Sequence, residues 1–380
     1  MHIHIVARGC PTDAYPLNGI FEFDQAEALS QAGHKVVIVA LDFRSVRRWR
    51  KFGLYRSAKN NIEVFNISVP LGNIELPFFN LIARKLVSFS SLLLRRYYGK
   101  PDIIHAHFLQ ISSLSVEIKK RLGAPFVITE HSSQLNVDSF PKQLFKLAKW
   151  TYSQADLVIV VSETLKARMW THFKISSTIV ANIVNTNEYS KRKTVNETNN
   201  QFTFISVGTL NYNKGFDLLL KAFKNANFSS DIKLKIIGDG ELKKSLIDDI
   251  DNLGLHENVE LLGFQPRTKI FDYYNESNVF VLASRSETFG VVFIEAMLSG
   301  LPVIATKCGG PEGLVNEANG VLVPINDVHK LSEALIKMVK TYTNYNSSDI
   351  SKNAINKFSP QIIAEKLTDL YKQVSSVKSN

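Results

Sequence analysis

The chain is poor in cysteine: Cys10 and Cys308 are the only two in 380 residues. A disulfide framework is excluded as the basis of folding, and the two thiols are expected free, as in a reducing compartment. Long apolar runs are missing too, none reaching the roughly 18 residues of a membrane-spanning helix. MHIHIVARG at the N-terminus lacks the order of charged, apolar and small residues of a signal peptide and reads as a strand followed by a glycine turn. A cytoplasmic protein is the expectation, with the NET at Asn196 an unused glycosylation pattern. Acid is scarce in one half only. Residues 1–190 hold 23 Lys and Arg against 14 Asp and Glu, the rest 22 against 21, so the net charge of +10 is almost wholly N-terminal.

Several common sites are missing as well. GTLNYNKGF places its glycine after the lysine and lacks the GK[ST] ending of a phosphate-binding P-loop. GDGELK at 238–243 has two glycines of a dinucleotide fingerprint without the third, and reads as a tight turn between strand and helix. The carboxylates Asp248–Asp251 read as a solvated helix face, not a metal clamp. His105 and His107 alternate on one strand candidate and share a side, but two ligands without a third do not make a metal site. No metal site and no nucleic-acid module is expected.

What is present has the length and the 45% apolar content of two globular domains. Short β-branched runs alternate with amphipathic stretches, the rhythm of parallel sheets wrapped by helices. The first half offers the strands HIHIVA, KVVIVAL, IEVFNISV, DIIHAHF, FVITEH and DLVIVVS. FEFDQAEALSQAG, stopped by Gly33, and PKQLFKLAKWTYSQA read as helices. The rhythm pauses over a polar stretch taken as a linker, then resumes from FTFISVG to PVIAT before a last helix, SPQIIAEKLTDLYKQV. The expected division is 1–187, linker 188–200, 201–357 and a C-terminal helix 358–380, with ligands held in a crevice at the carboxyl ends of parallel strands.

The informative segment is SRSETFGVVFIEAMLSGLPVIATKCGGPEG, residues 284–313. A loop of small and polar residues feeds a helix that stops at Gly300, and a start near Gly290 leaves first-turn amides suited to a diphosphate. Glu287 and Glu295 are eight positions apart. At about 100° per residue they would sit some 80° from one another on a continuous helix. They form no carboxylate pair. With Glu287 in the preceding loop, the two acids instead address different hydroxyls of an elongated ligand, a ribose and a hexose flanking a diphosphate.

That segment, with GIFEFDQAEALSQAGHKV, DIIHAH, ITEHS, DLVIVVS, VGTLNYNKGFDLLLKAF, IIGDGELK, LLGF and the closing helix, resembles glycosyltransferase family 4 over nearly the whole chain. The resemblance implies an α/β GT-B fold, two Rossmann-like domains facing a central cleft with the C-terminal helix crossing back to the first. It also implies a retaining, metal-independent transferase with a nucleotide-diphosphate sugar as co-substrate. By position, Glu295 matches the acid on the donor ribose, Glu287 the acid on the donor sugar, and Lys214 the cation on the leaving diphosphate. Asn18 and Gly19 match a loop whose amides approach the phosphates. Gly309, Gly310, Pro311 and Glu312 match the loop under the donor sugar, and His131 the histidine facing the reacting carbon. Gly208, Thr209, Gly238, Phe264, Arg285, Thr288, Phe289, Gly290 and Val291 complete the expected donor-binding set. One departure stands out: the family's arginine five residues before the lysine is Thr209 here, leaving Arg285 or Arg8 to supply a second cation.

FRSVRRWRKFGLYRSAK, residues 43–59, carries seven cations from Arg44 to Lys59 interleaved with aromatics and reads as a surface for an anionic membrane or acceptor. LPFFNLIARKLVSFSSLLLRRYY at 76–98 is either a core helix with a basic edge or part of the same surface. The leading expectation is transfer from a UDP- or GDP-sugar to a lipid-linked glycan acceptor in surface polysaccharide synthesis, by a peripheral protein at the inner membrane face. A sugar-nucleotide epimerase of the same fold and a non-catalytic nucleotide-sugar-binding partner stay open as alternatives.

Overall fold

Apolar β-branched runs buried on both faces form parallel strands, and they make up most of the eight-stranded first sheet of the computed structural model. It describes residues 1–72, 74, 76–132, 135, 140–184 and 201–377. The strands are β1 (His2–Ala7), β2 (Lys35–Asp42), β3 (Gly53–Lys59), β4 (Ile62–Ser68), β5 (Ile103–His107), β6 (Phe126–Glu130), β7 (Leu157–Val160) and β8 (Thr178–Ile179). Their order is β3-β4-β2-β1-β5-β6-β7-β8, parallel throughout except that β3 runs antiparallel to β4. Around them lie α1 (Ile20–Gln31), α2 (Leu76–Tyr98), α3 (Leu109–Leu122), α4 (Lys142–Ser153) and α5 (Glu163–Phe173). Gly33 at φ 87° ends the α1 turn, and the Ser162 hydroxyl caps α5 by accepting from the Leu165 amide.

The second sheet holds β9 (Phe202–Val207), β10 (Ile232–Ile237), β11 (Val259–Gly263), β12 (Val279–Leu282), β13 (Val303–Thr306) and β14 (Gly320–Val323). All pair parallel in the order β11-β10-β9-β12-β13-β14. Its helices are α6 (Phe216–Ala226), α7 (Lys243–Asn252), α8 (Arg267–Asn275), α9 (Val291–Leu298), α10 (Val328–Thr341) and α11 (Ser347–Phe358), followed by α12 (Pro360–Val377).

The chain divides into two units, the first Met1–Ile183 with the C-terminal residues from Pro360 on, the second Val184–Ser359. The helix α12 thus completes the first unit from the far end of the chain. Its Ile363, Ala364, Leu367 and Tyr371 are buried in one core with Ile3, Ile5, Phe23 and Leu29. The Tyr371 hydroxyl lies 2.6 Å from His105 Nδ1, and Thr368 Oγ1 lies 2.8 Å from His34 Nε2. The residues 188–200 expected as a linker, and Asn196 with them, lie outside the described residues.

Three strands went unread in the sequence, among them the four-residue β14. β8 is two residues long, too short for any pattern. β3 lies within the basic segment expected to be one continuous surface, and Gly53–Lys59 is instead a sheet edge. It has no buried position to betray it, and it forms because Asn60 and Asn61, at φ 49° and 64°, make the two-residue turn that closes a hairpin onto β4. Its Lys and Arg side chains suit an edge that must not pair further.

Candidate active site

In the second unit, β9 sits between β10 and β12, so successive crossovers run one way from β9 to β11 and the other way from β12 to β14. The loops after β9 and β12 therefore part at a topological switch point, where open parallel sheets hold ligands. Lys214 follows β9 at the end of a 3₁₀ turn (Tyr212–Lys214), and Glu287 follows β12. The Lys214 ammonium donates to Glu287 Oε2 across this point, both side chains mostly shielded. The two loops are also joined through the backbone, the Arg285 amide donating to the Asn213 carbonyl at 2.7 Å. Gly215, at φ 65°, lets the chain turn into α6 against β12, for a Cβ there would fall 2.0 Å from the Ala283 carbonyl.

Glu287 lies in the loop ahead of α9, as the spacing of the two acids required. It bridges to the strand-end loop after β13, its amide donating to the Cys308 carbonyl at 3.2 Å while its carbonyl accepts from the Gly310 amide at 2.7 Å. The Gly309 amide donates to both Glu312 carboxylate oxygens, at 3.0 and 2.8 Å. Gly310 is needed here because a Cβ would meet the Phe289 backbone at 2.6 Å. Gly290, in the left-handed region at φ 89°, starts α9. The amides of Val291 and Val292 open its first turn with the positive end of the helix dipole behind them. Beside this turn the Thr288 hydroxyl is buried without a hydrogen-bond partner among the described residues. Glu295, one turn further along and buried, pairs with Arg267 of α8 at 3.3 Å. Burial pushes the Cys308 thiol up to about 12, which removes it as a nucleophile.

Gly208 and Gly238 lie side by side at the ends of β9 and β10, since a Cβ on Gly238 would stand 1.9 Å from the Gly208 carbonyl. Phe264 follows β11 with its ring exposed, while Phe289 is buried against Phe358. The structure departs from expectation at Arg285. Its guanidinium makes a two-pronged pair with Asp217, at 2.8 and 2.7 Å, and lies 4.0 Å over the Tyr212 ring, so it is committed within the β9 and β12 loops. Arg267 is the cation that pairs with Glu295, and nothing in the sequence had pointed to it.

The first unit has a switch point of the same kind between β1 and β5. Gly19, at φ 73°, starts α1 and touches Gly9, where a Cβ would be 2.3 Å from the Gly9 carbonyl, while Asn18 packs on Gly9 from its other side. His131 follows β6. Its ring stacks on His107 at 5.1 Å and shares a 2.8 Å hydrogen bond between His107 Nδ1 and its own Nε2. His107 in turn stacks on His105 at 4.6 Å. Burial lowers all three histidines, His105 to about 3, so the column is neutral near pH 7. Glu130 shapes the bend carrying His131: its Oε1 accepts from the His131 and Ser132 amides at 2.9 and 2.7 Å, and its Oε2 from the Tyr152 hydroxyl at 2.7 Å. Arg8 lies 4.4 Å over the Phe108 ring and 3.9 Å from the buried Glu22.

The structure therefore gathers Gly208, Lys214, Glu287, Thr288, Gly290, Val291, Glu295, Gly309 and Gly310 around strand ends of the second unit, and Asn18, Gly19 and His131 at strand ends of the first. Thr209 follows Gly208 in the same loop, its carbonyl accepting from the Asn211 amide at 2.8 Å. Glu130, Asp217 and Arg267 were missed, with only the ITEH run hinting at the first, while His107 was read only as half of an incomplete metal pair. Among the described residues no group of three His, Cys, Asp or Glu is placed to hold a metal ion.

Two family models match the chain, glycosyltransferase family 4 over residues 23–188 and glycosyl transferases group 1 over residues 187–357. An uncharacterized glycosyltransferase of Methanocaldococcus jannaschii is 30% identical over 63% of this chain and 65% of its own length, a little under two thirds of that relative. The amylovoran biosynthesis glycosyltransferase AmsD of Erwinia amylovora is 26% identical over 71% of this chain and 78% of its own. Among solved structures, HepE of Anabaena in complex with UDP and glucose superposes with a TM-score of 0.76 at 20% identity, covering 98% of this chain and 100% of that one, which carries the fold. The chain belongs to the glycosyltransferases built from a family 4 domain followed by a group 1 domain. It is a GT-B glycosyltransferase.

Proposed function

We propose that this glycosyltransferase moves a hexose from a UDP- or GDP-sugar to a lipid-linked glycan acceptor, with retention of anomeric configuration, at the cytoplasmic face of a membrane in surface polysaccharide synthesis. The observation that carries the donor reading is the Lys214–Glu287 pair at the switch point beside the first turn of α9. The diphosphate takes the place beside Lys214, the α9 amides and the unpartnered Thr288 hydroxyl. Glu287, released from the lysine, accepts from the sugar hydroxyls. Glu295, held by Arg267, accepts from the ribose. The complex of HepE with UDP and glucose supports a nucleotide-sugar donor, and the amylovoran role named for AmsD supports a polysaccharide product.

In this reading the bond from the anomeric carbon to the diphosphate breaks as the acceptor oxygen bonds on the same face. The acceptor's hydroxyl proton passes to the departing phosphate oxygen, and Lys214 with the helix amides stabilises the charge that develops. No protein nucleophile and no metal ion takes part. The test is a thermal-shift panel of nucleotide sugars, each with and without EDTA, on the wild type and Lys214→Ala. A ligand at about 100 times its dissociation constant adds about 2.7 kcal/mol. One UDP- or GDP-sugar should stabilise the wild type regardless of EDTA and fail to stabilise the variant. Stabilisation lost with EDTA, or equal in the variant, overturns the assignment; conversion of the donor alone to an epimer overturns the transfer.

A further inference from the structure

The helix α2 is apolar on two opposite faces. Ala83, Val87, Leu94 and Tyr98 are buried and form the face turned to the first unit. On the other side Phe78, Leu81, Ile82, Phe89 and Leu92 stand 38% to 62% exposed. At about 100° per residue these five fall within an arc of about 100°, a single stripe along the outside of the helix. Lys85 and Arg96 lie in the same arc, and Arg95 flanks it. Among the described residues these three cations form no ion pair, and residues 76–98 contain no Asp or Glu. The inner apolar face explains the helix's place in the fold; the outer face stabilises nothing there, and a continuous exposed stripe of this kind marks an interaction surface.

The basic segment touches α2 near both ends. Phe43 packs edge-to-face on Phe79 at 5.9 Å, and the Arg56 guanidinium of β3 lies 5.3 Å from the Tyr97 ring. Arg47, Arg48, Trp49 and Lys51 are exposed between these two contacts. One edge of the first unit therefore combines large apolar side chains with exposed cations and carries few acids.

We infer that the outer face of α2 docks on an anionic phospholipid surface, with Phe78, Leu81, Phe89 and Leu92 entering the acyl boundary and Lys85 and Arg96 at headgroup level. This rests on the reading of a lipid-linked acceptor and names the surface that would bring the enzyme to it. No helix among the described residues is long and apolar enough to cross a membrane, which agrees with a helix lying in the interface plane. Charge decides between occupants. In a symmetric pairing of two copies the lysine and arginine of the stripe would meet their own kind, and the centres of protein interfaces are depleted in lysine. An anionic bilayer instead gains about 1 kcal/mol for each cation near its surface.

Co-sedimentation of the full chain with phosphatidylglycerol–phosphatidylethanolamine vesicles, and with phosphatidylcholine vesicles, tests this without donor or acceptor. Strong binding to the first and weak binding to the second is expected. Phe89→Ser with Leu92→Ser should lower partition roughly a hundredfold, with circular dichroism and melting temperature unchanged. Phe89→Trp should keep binding, and the new indole should be quenched by brominated acyl chains. Unchanged partition in the serine double variant, an indole in the Phe89→Trp variant that stays unquenched, or a dimer in light scattering that the double variant dissolves would each overturn the proposal. The acceptor reading fails separately: vesicles that bind a chain unable to glycosylate any lipid acceptor leave the docking face standing, and transfer to a lipid acceptor without vesicle binding removes only the docking face.

Discussion

Lys214 and Glu287, 73 positions apart in sequence, form an ion pair across the point where the second sheet reverses its strand order. In the proposed donor site an arriving diphosphate would compete for the ammonium and free the carboxylate for hydroxyls. Lys214→Ala should cut transfer by about a hundredfold or more, as loss of a preorganised charge donor does. The double variant Lys214→Ala with Glu287→Gln, which removes both charges of the pair, should stay inactive. An active lysine variant would remove Lys214 from the site.

In the proposed donor site Glu295, paired with Arg267, is assigned to the ribose, away from the bond that breaks. Glu295→Ala should raise KM for the donor by roughly tenfold, through loss of hydrogen bonds to a charged acceptor, with a smaller change in kcat. Arg267→Ala should follow it in the same direction. Steady-state kinetics at varied donor separates the two parameters, and a fall in kcat at unchanged KM would place Glu295 at the reacting carbon instead.

The buried histidines make stability depend on pH. His4 and His105 are lowered by burial to about 3, against 6.5 for a free imidazole. Above 6.5 they are neutral in both folded and unfolded chains and cost nothing. As pH falls from there towards 3, the unfolded chain takes up protons that the folded one refuses, and each site costs about 1.4 kcal/mol per pH unit. Glu22 and Glu130, raised by burial, act in the opposite sense and soften the slope. Both ring nitrogens of His4 are buried without partners among the described residues. His4→Leu should therefore flatten the decline by about 1.4 kcal/mol per pH unit, measured by urea unfolding between about pH 6 and 4.5. An unaltered slope would mean that His4 titrates normally.

Gly215 and Gly313 should respond oppositely to alanine. A methyl at Gly215 meets the Ala283 carbonyl at 2.0 Å and sits at φ 65°, so a loss of roughly 2 kcal/mol or more is expected together with donor binding, because Lys214 is its neighbour. At Gly313 nothing lies within 4 Å of the added carbon, and Gly313→Ala should be neutral or stabilising by up to about 1 kcal/mol. Paired thermal melts of the two variants check both.

The features legible in the sequence are those fixed by local periodicity and glycine punctuation. The strand runs, the Gly33 stop and the helix opening at Gly290 each depend on neighbours within one or two turns. Glu287 and Glu295 could be separated into loop and helix because eight residues cannot place them together on a helix that begins between them. Features whose partners are distant were not legible. Nothing near Arg267 announces Glu295, since they meet only once α8 packs beside α9, and Arg285 offers no sign that Asp217, 68 positions earlier, will claim it. The strand β3 was lost for another reason: its stability comes from the β4 backbone and an Asn-Asn turn, not from buried side chains of its own.

The seat of Tyr371 against His105 has a consequence for how the protein is made. Residues 184–359 form an uninterrupted stretch that can complete its core while α12 is still inside the ribosome, whereas the unit begun at Met1 lacks Ile363, Leu367 and Tyr371 until the last turns emerge. The usual rule that N-terminal domains finish first in synthesis is inverted. A chain terminated just before Pro360 would therefore keep every residue of the second unit while Ile3, Ile5, Phe23 and Leu29 of the first lack the cover of Ile363, Leu367 and Tyr371.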